Sequence, residues 1–452
     1  MPASDLELYE PEYSARRVVT CPQAIALGGV LLGSALAFAL APGETSAAVS
    51  GALGAWFVAN AAFRVALLAA GARVAQMPPV PPLADDMLPV YSILVPLFHE
   101  AEVVPSLLRA LSALDYPRDR LDIKLIVEAD DAQTAAALQA HGLDAHFTIV
   151  VVPEGYPRTK PRACNHALLS ARGELLVIYD AEDRPDPDQL RKAAALFRAS
   201  GNDVACLQAR LNFFNAHENI LTKLFALDYA LWFDHLLPGL ERLGIAMPLG
   251  GTSNHFRIGA LRAIHGWDPF NVTEDADIGI RLARHGYRVR TLDSTTFEEA
   301  PNDVRNWLKQ RSRWQKGYMQ TWLVHMRHPL RLLRSEGWLG FLGFQLFIGG
   351  TFASAFLGPV LWTIFAAILI SGPALAGSGQ LCLACLVIGN GFFVLLKMLG
   401  VWRRRWFGLA PYGLLAPLYW MLISLAFLRA LGQLVSRPFH WEKTRHGVSR
   451  FA

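Results

Sequence analysis

Charge is what this sequence has little of. Only 18% of its 452 residues are Asp, Glu, Lys or Arg, against 53% hydrophobic, and the mean hydropathy is +0.27. That composition excludes an ordinary soluble domain and implies a membrane protein with a sizeable polar part. The net charge is only +4. Without a strong basic excess, a nucleic-acid binder is set aside. Cysteine is scarce too. Among five, Cys382 and Cys385 form a CxxC inside an apolar run with no second pair. They read as small buried hydrophobes in a membrane helix rather than metal or redox groups, and nothing demands an oxidising compartment. There is no GxxxxGK(S/T), no HExxH and no GxGxxG, which argues against a P-loop NTPase, a zincin and a dinucleotide oxidoreductase.

What is present begins with apolar runs. Residues 24–41 and 48–70 are each long enough to span a bilayer, which takes roughly 20 apolar residues. Arg64 interrupts the second near one end, where it can snorkel. The immediate second run favours a membrane hairpin over a cleaved signal peptide. Arg16 and Arg17 before the first run place the N-terminus, and the chain after the hairpin, in the cytoplasm. "MPPVPPLADD" (77–86) is a proline-rich linker. From residue 90, β-branched runs alternate with helical ones: "VYSILVPL", "DIKLIVEA", "FTIVVV" and "ELLVIYD" each precede an amphipathic stretch. This βαβ series predicts a largely parallel sheet with helices on both faces. Past 338 the chain is apolar again, over 338–371 (broken by Gly349-Gly350 and Gly358-Pro359), 381–401 and 409–435. The expected organisation is a cytoplasmic tail (1–20), two transmembrane helices (21–75), an αβ domain (76–302), interfacial amphipathic helices (303–337), C-terminal transmembrane helices (338–436) and a tail (437–452).

In such sheets ligands bind beyond the C-terminal strand ends. There the sequence places His99 and Glu100, then Asp130 and Asp131, then Asp180, Glu182 and Asp183, with Glu274, Asp275 and Asp277 further on. Singly, each carboxylate could merely cap the next helix. Converging at one sheet edge they would repel unless a cation sat among them. A hard divalent ion with substrate phosphates completing its shell is the simplest candidate. Lys160 and Asn165 could meet phosphate or ribose, or Lys160 could simply be solvated. A metal–diphosphate site beside a further carboxylate suits transfer of a group whose leaving group is a nucleoside diphosphate. Cations stabilise the leaving charge, and the extra carboxylate deprotonates an acceptor hydroxyl.

The stretch "NWLKQRSRWQKGYMQTW" (306–322) joins the αβ region to the apolar tail. On a helix, Gln310, Arg313, Gly317 and Gln320 share one face. Trp307, Trp314, Tyr318 and Trp322 share the adjacent one, and Lys309 and Lys316 lie on the far side of the polar face. The aromatic stripe suits a helix at the membrane interface. Gly317 would leave room beside Arg313, which could hold a phosphate, while indole faces can stack on sugar rings. The alternative is a plain interfacial anchor.

Taken together, these residues resemble the membrane-integrated family 2 glycosyltransferases, a group that includes cellulose, chitin and hyaluronan synthases. That family's signature is spaced aspartates, a DxD, a TED and a QxxRW. The matching positions are Asp130/Asp131, Asp180-Ala181-Glu182, Thr273-Glu274-Asp275 and Gln310-Arg311-Ser312-Arg313-Trp314, in order, over about residues 88–325. The resemblance implies a GT-A fold, with a Rossmann-like mostly parallel sheet embedded between transmembrane helices. It also implies a UDP-sugar donor, Mg2+ or Mn2+, and inversion to a β-linkage. It puts Asp130 or Asp131 on the uridine, with His99, Glu100, Lys160 and Asn165 also on the donor side. Asp180 and Glu182 would serve metal and diphosphate. Asp275 would be the general base with Glu274 beside it, and Gln310, Arg313 and Trp314 would sit over the donor diphosphate and acceptor sugar. "GGTSNHFR" (250–257) looks like the acceptor-side loop, offering Thr252, Ser253 and Asn254. One departure matters: Glu182 stands where the motif has its second aspartate, and Asp183 follows, so the metal ligand is one of those two. A cyclic-dinucleotide-binding barrel of the kind some cellulose synthases carry is expected to be absent.

The expected activity is extension of a β-linked polysaccharide at the inner membrane, processive and coupled to export, in contact with membrane lipids and export or regulatory proteins. The competing readings are transfer of a single sugar to a lipid acceptor, and a non-catalytic scaffold or transport subunit. The C-terminal tail carries Arg437, Lys443, Arg445 and Arg450. The positive-inside rule puts both this tail and "RRRW" (403–406) in the cytoplasm, which conflicts if 409–435 crosses once. A cytoplasmic tail is favoured, with Trp441, Thr444 and His446 as an active-site flap.

Overall fold

The computed structural model describes residues 5–74, 80–371 and 378–450. The four strands read from the sequence form as expected: β1 (Tyr91–Leu97), β2 (Leu121–Glu128), β3 (Phe147–Val152) and β4 (Leu175–Ile178), all pairing in parallel. Helices Val104–Ser112, Ala132–Gln139 and Lys160–Leu168 connect them. The pleat sorts the core into two layers. Ile93, Ile123 and Val177 sit abreast in the register and enter one apolar cluster, while their neighbours Leu94 and Ile178 enter the other.

Four further strands complete the sheet: β5 (Arg184–Pro185), β6 (Val204–Phe213), β7 (Asn254–Arg257) and β8 (Arg288–Glu298). The order is β3-β2-β1-β4-β7-β6-β8-β5. β7 is antiparallel to both β4 and β6, β6 and β8 are parallel, and β5 is antiparallel to β8. The sheet is therefore mixed but mostly parallel, and the carboxyl ends of β1, β2, β4 and β8 open on one side.

By length and composition, helices Cys21–Leu40, Pro42–Val74, Pro329–Val360 and Phe407–Ser436 could each cross a membrane. Ser378–Gly400 is a further apolar helix; the side chains of Cys382 and Cys385 on it lie outside the described residues, as do residues 77–79 of the proline-rich linker. Pro42–Val74 docks on the αβ domain through two glycines. A Cβ at Gly71 would lie 2.4 Å from the His235 carbonyl oxygen, and one at Gly239 would lie 2.2 Å from that of Leu67. Only bare backbone allows so close a crossing.

Val304–His325 is a single 22-residue helix, its first turn capped by the Asp303 side chain accepting from Asn306 N at 2.9 Å. Its aromatic face is covered by protein rather than lipid. Trp307 is fully buried and points Nε1 at Tyr419 Oη, 3.3 Å away, and Trp322 donates to Gln345 Oε1 at 2.9 Å. Two other expectations for this helix are corrected. The space at Gly317 belongs to the TED segment, since a Cβ there would stand 2.1 Å from Thr273 Oγ1. Lys316, expected on the far side of the polar face, is fully buried and donates to the carbonyls of Arg437 and His440 (3.3 and 2.9 Å), so it holds the tail. The following helix, Pro329–Phe344, breaks at Gly337, where φ is 65°. A π-helical turn (Gln345–Gly349) then leads into Gly350–Ser371 as one continuous helix.

Both basic segments lie against the αβ domain. Arg404 grips Asp234 with Nε and Nη2 (2.6 and 2.8 Å), and the tail runs over the sheet's open edge. Ala416–Ser436 lies alongside Val304–His325 over much of its length, with Tyr419 at Trp307 and Gln433 at Lys316. The N-terminal segment is docked too: Arg327 donates to the carbonyls of Glu12 and Ser14 (2.6 and 3.0 Å).

Candidate active site

A cavity of 720 Å³ opens at the carboxyl ends of the strands. Its floor carries Glu128 from the end of β2, Asp180 and Glu182 just past β4, Glu274 and Asp275 at the start of helix Glu274–Arg284, and Glu298 from the end of β8. Gln310, Arg313 and Trp314 reach in from helix Val304–His325. The TED and QxxRW segments are brought face to face by the contact at Gly317 described above.

One cation organises the carboxylates. Lys160, at the start of its helix, pairs with Asp180 and donates to the Gly251 carbonyl at 2.7 Å. Burial would strip its proton, but Asp180 and Glu274 more than offset this and hold the ammonium above its ordinary pKa. Glu274 is pushed up to about 8 by burial and then by the Asp275 charge. Asp275 is raised chiefly by burial.

The DxD-like segment resolves into two roles. Asp183 turns inward, accepting from Thr252 Oγ1 and from Asp180 N (2.7 Å), and only 2% of it is exposed. Glu182 faces the cavity, with Oε1 3.0 Å from His446 Nδ1. Asp183 and Glu298 are both pushed well up, by burial first and then by neighbouring carboxylates. Among the described residues no three His, Cys, Asp or Glu side chains gather closely enough to enclose a metal by themselves. Two hard carboxylates on the cavity wall, Asp180 and Glu182, are nonetheless of the chemistry that suits Mg2+ or Mn2+.

Other expected site residues are spent elsewhere. Asp131 caps helix Ala132–Gln139, accepting from His99 N and Thr134 N (2.5 and 3.2 Å). Asp130 is exposed and paired with Arg158. Neither lines the cavity, nor does His99, whose backbone is left-handed (φ 54°). Glu128 and Glu100 do line it. Asn165 is tied to the Trp267 backbone at both ends of its amide (2.7 and 3.0 Å). Thr252, Ser253 and Asn254 are buried, bonded to Asp183, to Thr296 Oγ1 (2.7 Å) and to Gln208 Oε1 (2.6 Å) respectively. Their loop presents only the backbone of Gly251. The sequence reading missed Glu128 and Glu298, and both obey the strand-end rule.

The tail closes the cavity's outer wall. Trp441 lies over Arg313, its ring centroid 4.4 Å from Cζ. Lys443 pairs with Glu100 at 2.8 Å. Thr444 and His446 line the cavity, and Glu299 accepts from Val448 N and Ser449 N (3.0 and 2.7 Å). Burial opposes protonation of His446, but Glu182 raises its pKa to about 9.

A second cavity, 340 Å³, shares Tyr229, Gly251, Asp275 and Trp314 with the first and continues among the apolar helices past Asn60 and Ser424. Trp314 stacks on Tyr229 (centroids 6.1 Å apart, planes at 22°) where the two spaces meet.

A family model described as "Glycosyl transferase family group 2" matches residues 175–436. "Probable glycosyltransferase YdaM" of Bacillus subtilis (strain 168) is 24% identical over 266 residues, covering 57% of this chain and 62% of that protein. "Glucomannan 4-beta-mannosyltransferase 1" of Oryza sativa subsp. japonica is 27% identical over 248 residues, covering 52% of this chain and 47% of that protein. The chain thus spans about half to three-fifths of the length of these curated relatives. Among solved structures, "Mannosyltransferase PcManGT from Pyrobaculum calidifontis in complex with GDP-Man and Mn2+" superposes with a TM-score of 0.58 at 21% identity, covering 86% of this chain and 99% of that chain. That likeness is one of fold, a mixed and mostly parallel GT-A-type sheet.

Proposed function

The chain belongs to glycosyl transferase family group 2, and from that premise we propose that it is an inverting membrane hexosyltransferase that adds a sugar from a nucleoside-diphosphate donor to a β-linked glycan. The observation that carries this reading is Asp275, among the described residues the one carboxylate lining both the donor-sized cavity and the space among the helices. An acceptor hydroxyl arriving through the second space would give its proton to Asp275 as its oxygen bonds to the sugar C1. The bond from C1 to the diphosphate oxygen breaks on the opposite face, so the configuration inverts. Asp180 and Glu182 would hold Mg2+ or Mn2+, which supplies positive charge for the leaving diphosphate. Lys160 and Arg313 add their own charge there, and Glu100 and Glu128 lie where a nucleoside could be bound. Trp314 offers an indole face to the acceptor sugar.

Placement in the membrane follows the same logic. The N-terminal segment, "RRRW" and the tail all pack on the αβ domain, so all share its side, taken as the cytoplasm of an inner membrane. Ala416–Ser436 then lies at the interface beside Val304–His325 and does not cross, despite its length. Crossings by Cys21–Leu40, Pro42–Val74, Gly350–Ser371 and Ser378–Gly400 make two hairpins and remove the conflict between the two basic segments. The proposed divisions remain 1–20, 21–75, 76–302, 303–337, 338–436 and 437–452, with 409–436 reassigned to the interface. Repeated transfer with passage of product among the helices extends this reading, and the continuous pair of cavities supports it. Transfer to a lipid acceptor is favoured as a second reading by Arg64, Arg311 and Lys397, which line the second cavity.

The donor is best identified by incubating full-length protein in membranes with UDP-glucose, UDP-N-acetylglucosamine and GDP-mannose, the last chosen from the names of the relatives. Release of UDP or GDP with a β-linked product supports the proposal. Release from none of them would support a scaffold instead.

A further inference from the structure

The second cavity holds an excess of positive charge that the acceptor of a neutral glycan does not need. Arg64, Arg311 and Lys397 line it, against Asp228 among them and Asp275 at the end it shares with the first cavity. Lys397 Nζ is 2.7 Å and Arg311 Nη2 is 3.6 Å from Asp228. Arg311 Nη2 also donates to Tyr419 Oη at 2.9 Å, while its Nε is buried without a hydrogen-bond partner among the described residues. Arg64 has no hydrogen-bond or ion-pair partner among the described residues; its guanidinium sits 5.5 Å from the Phe393 ring centroid. Cations in an apolar surround are expensive unless paired. Three cations against Asp228 and, at the end shared with the first cavity, Asp275 leave one charge to be met by something that enters.

Position narrows what that is. Arg64 lies one turn before Leu67, Ala70 and Gly71, the residues that bury Pro42–Val74 in the αβ domain. Lys397 lies one turn before Gly400, whose carbonyl is 3.1 Å from His235 Nε2. All the cations are thus at the cytoplasmic end, at the depth of lipid headgroups. Further out, Trp56, Phe57 and Ser354 line the space without charge. An acidic polymer would repeat its charges along its whole path, and this cavity does not repeat the cations. The side wall is open as well: Met421 lines the cavity yet is 52% exposed on the molecule's apolar flank.

We infer that this cavity binds a phosphate-bearing glycolipid, with the phosphate among Arg64, Arg311 and Lys397, its hydrocarbon chain leaving sideways between the helices, and its sugar hydroxyl directed at Asp275. A phosphate monoester carries about −1.5 to −2 charges at pH 7, enough to meet the excess and to compete with Asp228 for the cations. The inference rests on Asp275 as the acceptor base. In the transfer step the acceptor O–H loses its proton to Asp275, the new bond joins that oxygen to C1, and the nucleoside diphosphate departs with the old bond's electrons. The lipid phosphate only anchors.

The test is binding of farnesyl phosphate and of farnesol to the full chain in phosphatidylcholine nanodiscs, followed by tryptophan fluorescence. The expected result is at least tenfold tighter binding of the phosphate, a tenfold or greater loss in Arg64→Gln and in Lys397→Gln, and recovery in Arg64→Lys. Thermal unfolding controls for folding, and the phosphate-against-alcohol comparison in the unmutated chain stands if either variant fails to fold. Equal affinity for phosphate and alcohol overturns the inference. So does unchanged phosphate binding in both Gln variants, or saturable binding of tetragalacturonate with none of farnesyl phosphate, which would mean an acidic polymer. A chain that binds farnesyl phosphate but transfers no sugar keeps the anchor and sinks the transferase reading alone.

Discussion

His446 of the tail stands 3.0 Å from Glu182, with Nδ1 facing Oε1 inside the cavity where the metal and diphosphate are proposed to bind. The tail therefore reaches the donor site with a cation at its tip. Donor and metal must displace it or rearrange it. Removing residues 439–450 should lower transfer by at least tenfold while leaving the protein inserted and folded, because Trp441 and Lys443 then no longer wall the cavity. A cysteine at Thr444 that can be labelled only from the side opposite the αβ domain would contradict the arrangement.

The anchor of that tail is Lys316, whose buried ammonium meets the carbonyls of Arg437 and His440 and the Gln433 amide oxygen. Burial lowers its pKa to about 8. Lys316→Met should leave those acceptors unpaired, costing about 1–3 kcal/mol. The observable is faster proteolysis of the tail with little change in cleavage of the αβ domain. Equal susceptibility in mutant and parent would mean that the tail is held elsewhere.

Glu182 and Asp183 should separate cleanly. Glu182→Gln is expected to raise the Mn2+ concentration needed for half-maximal transfer by at least tenfold. Asp183→Asn keeps the shape of an inward residue bonded to Thr252, so it should act mainly on stability. A metal requirement shifted only by Asp183→Asn would reverse the two roles.

Transfer should fall as pH drops through the Asp275 pKa, which burial places above the ordinary carboxylate value. A base must be ionised, so the rate should decline about tenfold per pH unit below that point. Asp275→Asn should remove this limb along with most of the activity. A pH–rate profile flat down to the usual aspartate range would argue that another group takes the proton.

Much of this was legible in the sequence because the first βα units each carry a clear period, and because their polar residues fall at strand ends. Glu182 is read from a strand end, Gln310, Arg313 and Trp314 from the faces of one helix, Asp275 from the resemblance, and the tail from its cations; the cavity is lined by all four groups. The second half of the sheet was not. β6, "VACLQARLNF", alternates only from Leu207 onward, while β8, "RVRTLDSTTFE", is too polar to announce a strand. Missing β8 meant missing Glu298 at its end. Thr252, Ser253 and Asn254 misled for the opposite reason: they are polar and follow glycines, but the chain spends them on buried hydrogen bonds, and Ser253 takes a left-handed backbone (φ 55°) that no local pattern reveals. Length and apolarity likewise mark Ala416–Ser436 as a crossing helix. Only its tertiary contacts, at Trp307 and Lys316, lay it beside the interfacial helix.

The central claim is that Asp275 deprotonates an acceptor for a nucleotide-sugar donor bound in the same cavity. The most direct measurement is single-turnover transfer by parent and Asp275→Asn protein in membranes, with donor binding measured in parallel by equilibrium titration in Mn2+. The account predicts donor affinity within threefold of the parent and a transfer rate reduced by roughly 10²–10⁴. Transfer at near-parental rate by Asp275→Asn, with donor still bound, would contradict it.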